Sequence, residues 1–535
     1  MKAFQPARQP GPAEIQPLLN LLNSGRLPQA EASARALLGN YPNAFILHNV
    51  LGVSLEGQQK FIEAAATYRN ALGLDPNVAE IHFNLGVVLG HLGHAADAIA
   101  SYRKAVTIKP GLAVAHFNLG IILQQHGRLE EAADAYDNAI AIEPGFYEAL
   151  GNLGTVLQKQ GKLEQAVSAY RRALTIHADA RGYFNLGTAL RDEGKHAEAG
   201  DCYLKALAID PGYADAHNNL GEIFRDQGKM DEGIKCYQNA LTIDSEHPNA
   251  NYNMGEFLHL AKKFEQAIPY YARSRFEDYQ ERELECLYRI ERMDEFREKL
   301  RALVESGRKS TMLATLSTHY ATNFGVRDEY NYCRDPMRFA WHTRIDELAE
   351  PGSPLLQALL EDITHTEIAE RKQGRLYYGI QSAGNLLKRP EPSFQRLAAL
   401  VRQKIMDYRQ RYAGEDCELI RSFPDQTEFS SSWYLKMSKG GHLTSHIHEE
   451  GWISGCIYLV LPRQKADITD GGFEYSTDGD DMPRRHDQFP AHIVVQEVGD
   501  LVLFPSSLYH RTIPFNSDEE RVCVAFDLKP SPGLR

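Results

Sequence analysis

The chain has 535 residues, of which 43% are hydrophobic and 24% charged, and its formal net charge is -13. That length exceeds one ordinary core, so several domains are expected. The acidic balance and the lack of any basic stripe exclude a nucleic-acid or anionic-membrane surface, and no apolar run is long enough to span a bilayer. At the N-terminus, MKAFQPARQPGPAEIQPLL lacks the uninterrupted apolar core of an export signal. The cysteines Cys202, Cys236, Cys286, Cys333, Cys417, Cys456 and Cys523 are odd in number and show no CxxC pairing, the usage expected of a reduced cytoplasmic protein.

Repeats dominate the first half. Blocks of 34 residues align over 77–110, 111–144 and 145–178, followed by copies over 179–211 and 212–245 and a worn copy over 246–278; 43–76 is another copy upstream. Each block carries N-L-G or a variant early, a Gly at the turn, Ala-x-x-x-Tyr later and often Pro at the end, as in Ala98/Tyr102, Ala132/Tyr136, Ala166/Tyr170 and Ala199/Tyr203. Gly and Ala let two helices of a hairpin approach closely, the Tyr fills the gap above them, and Pro marks the exit. The pattern resembles the tetratricopeptide repeat family, which implies an all-α solenoid over residues 12–300, about seven repeats with degenerate ends.

One column is not demanded by that packing. Asn84, Asn118, Asn152, Asn185, Asn219 and Asn253 each precede a Leu-Gly or Met-Gly pair, one per repeat. Equivalent positions stack along one face of a solenoid, and an amide offers both donor and acceptor to the backbone of an extended peptide. The placement is similar to the asparagine ladder of the O-linked N-acetylglucosamine transferase repeats, which implies a protein or peptide partner in the groove. The other reading is that each Asn simply bonds a neighbouring helix. Val50 occupies the column in the 43–76 copy, so a ladder ends there.

The stretch YQERELECLYRIERMDEFREKLRALVESGR reads as a charged helical cap on the solenoid. Residues 301–415 are expected to connect and support the last domain. They include a strand and turn in RLYYGIQSAGNLL and an amphipathic helix through Phe394, Leu397, Leu400, Val401, Ile405 and Tyr408.

Over 416–535 the short alternating runs SSWYLKM, SGCIYLVL, HIVVQEVGDLVLFP and RVCVAFDL are separated by Gly, Asp, Asn and Pro, as in an antiparallel barrel or jelly roll. His446 and His448, at i and i+2 where a strand is predicted to begin, can face one side together. His510 is predicted at the far end of the GDLVLFPSSLYH strand. Two close ligands and a distant third form the facial arrangement of non-haem Fe(II) oxygenases. Arg521, eleven residues after His510, is expected to enter the barrel from a hairpin and can hold a carboxylate bidentately. The segment 467–489, rich in Asp and Gly but without EF-hand spacing, reads as a loop over the barrel mouth. His82, His116, His217, His486 and His492 read as ordinary hydrogen-bonded histidines.

The motifs HIHEEGWISGCIYL, GDLVLFPSSLYHRTIPF and ERVCVAFDL together resemble the bacterial and phage family of 2-oxoglutarate- and Fe(II)-dependent oxygenases with an HxH, FP-x-x-x-H and R-[IV]-S-[IV]-S-F pattern. The resemblance covers about residues 375–530 and implies a double-stranded β-helix. It also implies Fe(II) held by His446, His448 and His510, with Arg521 on the distal carboxylate of 2-oxoglutarate and Tyr458 assisting. Cys523 stands where that family often has Ser. Most oxygenases of this chemistry use two histidines and a carboxylate, so His448-x-Glu450 is a second candidate pair beside His446-x-His448.

The sequence thus predicts a multidomain protein: tetratricopeptide solenoid, supporting helices and a double-stranded β-helix domain. Two functions are compatible with it, a dioxygenase acting on a docked protein or peptide and a repeat scaffold whose barrel has lost activity. A glycosyltransferase is disfavoured because no alternating βα pattern follows the repeats.

Overall fold

The computed structural model describes residues 9–530 except 367, 372–373, 424–426, 464–465 and 480. Residues 1–8, where the start of the N-terminal reading falls, lie outside the described residues. The chain divides into two compact units, Met1–Met254 and Gly255–Arg535.

The first unit is all-helical, with helical hairpins running from the pair Pro12–Asn23 and Leu27–Asn40 to the pair Ala214–Asp226 and Met230–Ile243. One contact builds each standard hairpin. A Cβ on Gly52, Gly86, Gly120, Gly154, Gly187 or Gly221 would lie 2.3 to 2.8 Å from the ring of Tyr68, Tyr102, Tyr136, Tyr170, Tyr203 or Tyr237 respectively. Only glycine allows the second helix to come that close, and the buried tyrosine seals the gap. Gly93, Gly127, Gly161, Gly194 and Gly228 make the turns at φ 71° to 83°, whereas Gln59 takes the same left-handed position at φ 58° in the 43–76 copy. The repeat histidines also have a structural role: Nε2 of His48, His82, His116 and His217 bonds the carbonyl of Pro42, Pro76, Pro110 and Pro211, at 2.8 to 3.1 Å.

The second unit joins helices to two antiparallel sheets. Its strands are β1 (Trp341–Arg344), β2 (Glu370–Arg371), β3 (Leu376–Ser382), β4 (Thr427–Leu443), β5 (Ile453–Val460), β6 (Phe473–Ser476), β7 (Ala491–Val494), β8 (Asp500–Pro505), β9 (Tyr509–Thr512) and β10 (Arg521–Pro530). The large sheet has the order β1-β8-β5-β10-β4-β3-β2, and the small one β7-β6-β9. This is the double-stranded β-helix architecture that follows the helical repeats.

Strand alternation sorts side chains between two cores. Ile453, Ile457, Leu501, Leu503, Val524 and Phe526 face the helices, among them Pro392–Arg411 with Phe394, Leu397, Val401, Ile405 and Tyr408 buried. Their neighbours Cys456, Tyr458, Val502, Phe504, Cys523 and Ala525 face the barrel interior. The parity of β10 therefore directs Arg521 inward with Cys523 and Ala525.

Three expectations change. The stretch read as a charged cap is a pair of helices, Tyr279–Arg289 and Met293–Glu305, and the acids of the first helix turn inward: Glu281 meets Arg308 at 2.7 Å, Glu285 meets Arg289 at 2.8 Å and Glu283 pairs with Lys299. Ion pairing makes that burial tolerable. The segment 467–489 is only partly a loop, because it contains β6, and beyond that strand it is tied to the helix Thr311–Phe324. There Asn323 Nδ2 donates to the Pro483 carbonyl at 2.8 Å and its Oδ1 accepts from the Arg485 N–H at 2.8 Å. Finally, β9 and β10 lie in different sheets, so the connection before Arg521 crosses between sheets and is not a hairpin.

Candidate functional site

His446 and His448 do not begin a strand. They lie in the connection from β4 to β5, where an isolated antiparallel bridge pairs His446 with His510: each backbone N–H donates to the other's carbonyl, at 3.1 and 3.0 Å. His510 sits on β9, past the turn that ends β8, and so belongs to the small sheet. The bridge brings the edges of the two sheets together at the histidines.

One ligating nitrogen from each of His446, His448 and His510 lies within 4.8 Å of the other two. The ring centroids are separated by 4.3 Å (His446 to His510), 4.8 Å (His448 to His510) and 5.2 Å (His446 to His448). Each Nδ1 is already engaged: that of His446 with the Thr444 carbonyl at 2.7 Å, that of His510 with the Leu508 carbonyl at 3.1 Å, and that of His448 with the Asp527 carboxylate. Fixing Nδ1 as the donor leaves each Nε2 lone pair free toward the cluster. Burial pushes the His446 pKa down to about 3 and that of His510 well below its ordinary value, so both imidazoles are neutral, as metal ligation requires. The donor set fits a first-row divalent ion bound on one face.

Glu450 is not part of this cluster. Its side chain is 90% exposed and pairs with Lys529 at 3.0 Å. The structure therefore brings together the His446-x-His448 pair and places the alternative carboxylate on the surface. A different carboxylate, missed in the sequence, stands behind the site. Asp527 registers with Ser431 on β4 and Ser454 on β5, and both hydroxyls donate to it, at 2.9 and 2.7 Å. Burial pushes its pKa up, but the His448 ring and these hydroxyls outweigh burial and hold it below the usual carboxylate range.

The histidines open into a pocket that also contains Trp433, Leu435, Cys456, Phe504 and Arg521. Phe504 packs 4.8 Å from the His510 ring and Trp433 5.6 Å from that of His448, centroid to centroid. Arg521 is 1% exposed, and no carboxylate pairs with it among the described residues. Its guanidinium bonds the Gly471 carbonyl at 3.2 Å and Cys523 Sγ at 3.3 Å, and lies 5.2 Å from the Tyr458 ring centroid. The Cys456 thiol and then Arg521 hold Cys523 below the ordinary thiol range. The Tyr458 hydroxyl is buried without a hydrogen-bond partner. A buried cation without an anion, next to an unsatisfied phenol, fits a ligand carboxylate.

In the repeats, the Asn column is half-buried or buried. Asn219 Nδ2 donates to the Tyr203 hydroxyl of the preceding repeat at 3.4 Å, and, against the burial that raises them, Asn84 and Asn152 lower the pKa values of Tyr68 and Tyr136 of theirs. Asn219 also accepts from Asn218 at 3.2 Å, and Asn253 donates to Asn218 at 3.0 Å. Asn118 and Asn185 hold the same position on the first helix of their repeats.

Residues 431–527 match the family model described as "Putative 2OG-Fe(II) oxygenase". Tetratricopeptide repeat models match 19–76, 52–113, 123–187, 187–224 and 214–247. Solved structures similar to the chain include MamA (24% identity, covering 30% of this chain and 95% of that one, TM-score 0.30). YrrB, described as a TPR protein with an unusual peptide-binding site, is 25% identical over 37% of this chain and 99% of its own, TM-score 0.33. PilF of Pseudomonas aeruginosa is 21% identical over 38% of this chain and 95% of its own, TM-score 0.34. No curated protein matches the chain. No helix among the described residues is long and apolar enough to cross a membrane.

Proposed function

We propose that this chain, which carries tetratricopeptide repeats in its N-terminal region and a 2OG-Fe(II) oxygenase domain over residues 431–527, is a 2-oxoglutarate- and Fe(II)-dependent dioxygenase that hydroxylates a protein or peptide docked by the repeats. The observation that carries this reading is the trio of histidines with every Nδ1 tied off, in one pocket with a buried arginine that lacks an anionic partner.

His446, His448 and His510 would hold Fe(II) through Nε2, and Arg521 would hold the distal carboxylate of 2-oxoglutarate with help from Tyr458. Bound together, metal and cosubstrate supply oxidative decarboxylation coupled to hydroxylation. The residues do the rest. The carbonyls of Thr444 and Leu508 and the carboxylate of Asp527 keep the three rings in one tautomer and one orientation. Asp527 adds one negative charge behind a centre whose ligands are all neutral. Leu435, Phe504 and Trp433 make the pocket wall apolar, which excludes water from the reacting atoms. In the repeats, Asn84, Asn118, Asn152, Asn185, Asn219 and Asn253 are the candidates for contacting the partner's backbone.

Anaerobic titration with Fe(II) and then 2-oxoglutarate tests the reading. A visible charge-transfer band that appears with both, and is lost in His446→Ala, His448→Ala and His510→Ala, is the expected result. A wild-type protein that takes up no metal would identify the barrel as catalytically silent and the repeats as the working part.

A further inference from the structure

Gln496 lies in the short connection from β7 to β8 and is 4% exposed, yet neither its Oε1 nor its Nε2 has a hydrogen-bond partner among the described residues. The backbone on both sides is fixed: Val494 registers with Phe473, the Gly499 N–H donates to the Tyr458 carbonyl at 2.9 Å, and the Glu497 N–H donates to Asp500 at 2.8 Å. The amide acts on the Tyr458 hydroxyl, which is likewise buried and lacks a hydrogen-bond partner among the described residues. Arg521 lies against the ring of the same tyrosine.

Burying a polar group unpaired is costly, so a buried amide and a buried phenol that both lack partners, with an unneutralised guanidinium against the phenol ring, call for a ligand that satisfies them together. A carboxylate does this: it accepts from the guanidinium and from the phenol O–H, while the amide N–H donates to the phenol oxygen and turns that O–H toward the ligand.

We infer that Gln496 is a positioning residue for the distal carboxylate of a dicarboxylate cosubstrate, acting through the hydroxyl of Tyr458. The inference rests on the reading of this pocket as the 2-oxoglutarate site. Its signature is that the amide contributes to binding only when both the phenol and the distal carboxylate are present.

Calorimetric titration of the full-length Mn(II)-loaded protein without oxygen separates the possibilities, with 2-oxoglutarate and with 2-oxopentanoate, which lacks the distal carboxylate. Gln496→Met should weaken 2-oxoglutarate binding about tenfold, the worth of one hydrogen bond serving a charged acceptor, and leave 2-oxopentanoate unchanged. Gln496→Glu, equal in size, should lose more, because its carboxylate accepts the phenol O–H hydrogen bond in place of the ligand and repels the ligand's charge. The pair Gln496→Met/Tyr458→Phe should bind no worse than Tyr458→Phe alone. Full affinity for 2-oxoglutarate in Gln496→Met would mean that the amide holds a buried water only, and additive losses in the pair would remove the route through Tyr458. Metal uptake without 2-oxoglutarate binding in the wild type would overturn the cosubstrate reading itself, an outcome visible before any variant is made.

Discussion

Nδ1 of His448 donates to the carboxylate of Asp527, which is held in turn by Ser431 and Ser454 on the strands flanking its own. This places a carboxylate one bond behind the metal cluster, where it orients the ring and raises its basicity without occupying a coordination position. Asp527→Asn should therefore lower metal affinity by about 10- to 100-fold with the fold retained, because the amide keeps the shape and removes the charge. Competition between the protein and a calibrated chelator for Co(II) measures this. Unchanged affinity would reduce Asp527 to a packing residue.

Glu450 and the histidines make opposite predictions for metal stoichiometry. Each of His446→Ala, His448→Ala and His510→Ala should lose stoichiometric binding, since two imidazoles cannot complete the face. Glu450→Ala should keep it, because that carboxylate is exposed and engaged with Lys529. Metal counted per chain after desalting decides between them, and loss of metal in Glu450→Ala would bring back the His448-x-Glu450 pair.

The solenoid was legible in the sequence because its packing is periodic: the Gly120–Tyr136 contact recurs as Gly154–Tyr170, and a repeated contact leaves a repeated pattern. The histidines were legible as residue types but not in place, since the His446–His510 bridge depends on how two sheets meet and not on strand alternation. Asp527 left a usable signal. It shares the parity of Arg521, Cys523 and Ala525 on β10, and an inward-facing acid at the end of an apolar strand needs a partner. The acids of Tyr279–Arg289 left none, because Lys299 and Arg308, which make two of them tolerable, lie on the following helix and beyond it.

The Asn column can be tested against its structural alternative. Asn219 donates to the Tyr203 hydroxyl, so Asn219→Ala should cost about 1 kcal/mol of repeat stability, read as a lower midpoint in thermal circular dichroism. The triple variant Asn118→Ala/Asn152→Ala/Asn185→Ala should in addition weaken capture of a protein partner while leaving uncoupled 2-oxoglutarate turnover intact. Equal partner binding by the folded triple variant would leave the column with the tyrosines alone.

Arg282 connects the helix Tyr279–Arg289 to the metal loop. Its guanidinium meets Glu449, the residue after His448, at 2.6 Å and Asp278 at 2.9 Å. A second tie lies close by, where the Thr311 hydroxyl donates to the Gly451 carbonyl at 2.6 Å. Glu449 is partly exposed, so the ion pair itself is worth only about 1 kcal/mol of stability. Its larger effect is expected at the site, because freeing Glu449 loosens the segment that aims His448. Arg282→Ala should lower the melting temperature slightly and metal affinity several-fold, while Arg282→Lys, which keeps the charge but not the two-pronged geometry, should fall between. Parallel chelator competition and thermal melts on both variants provide the comparison. A metal affinity that stays at the wild-type value while the melting temperature falls would confine Arg282 to holding the helix.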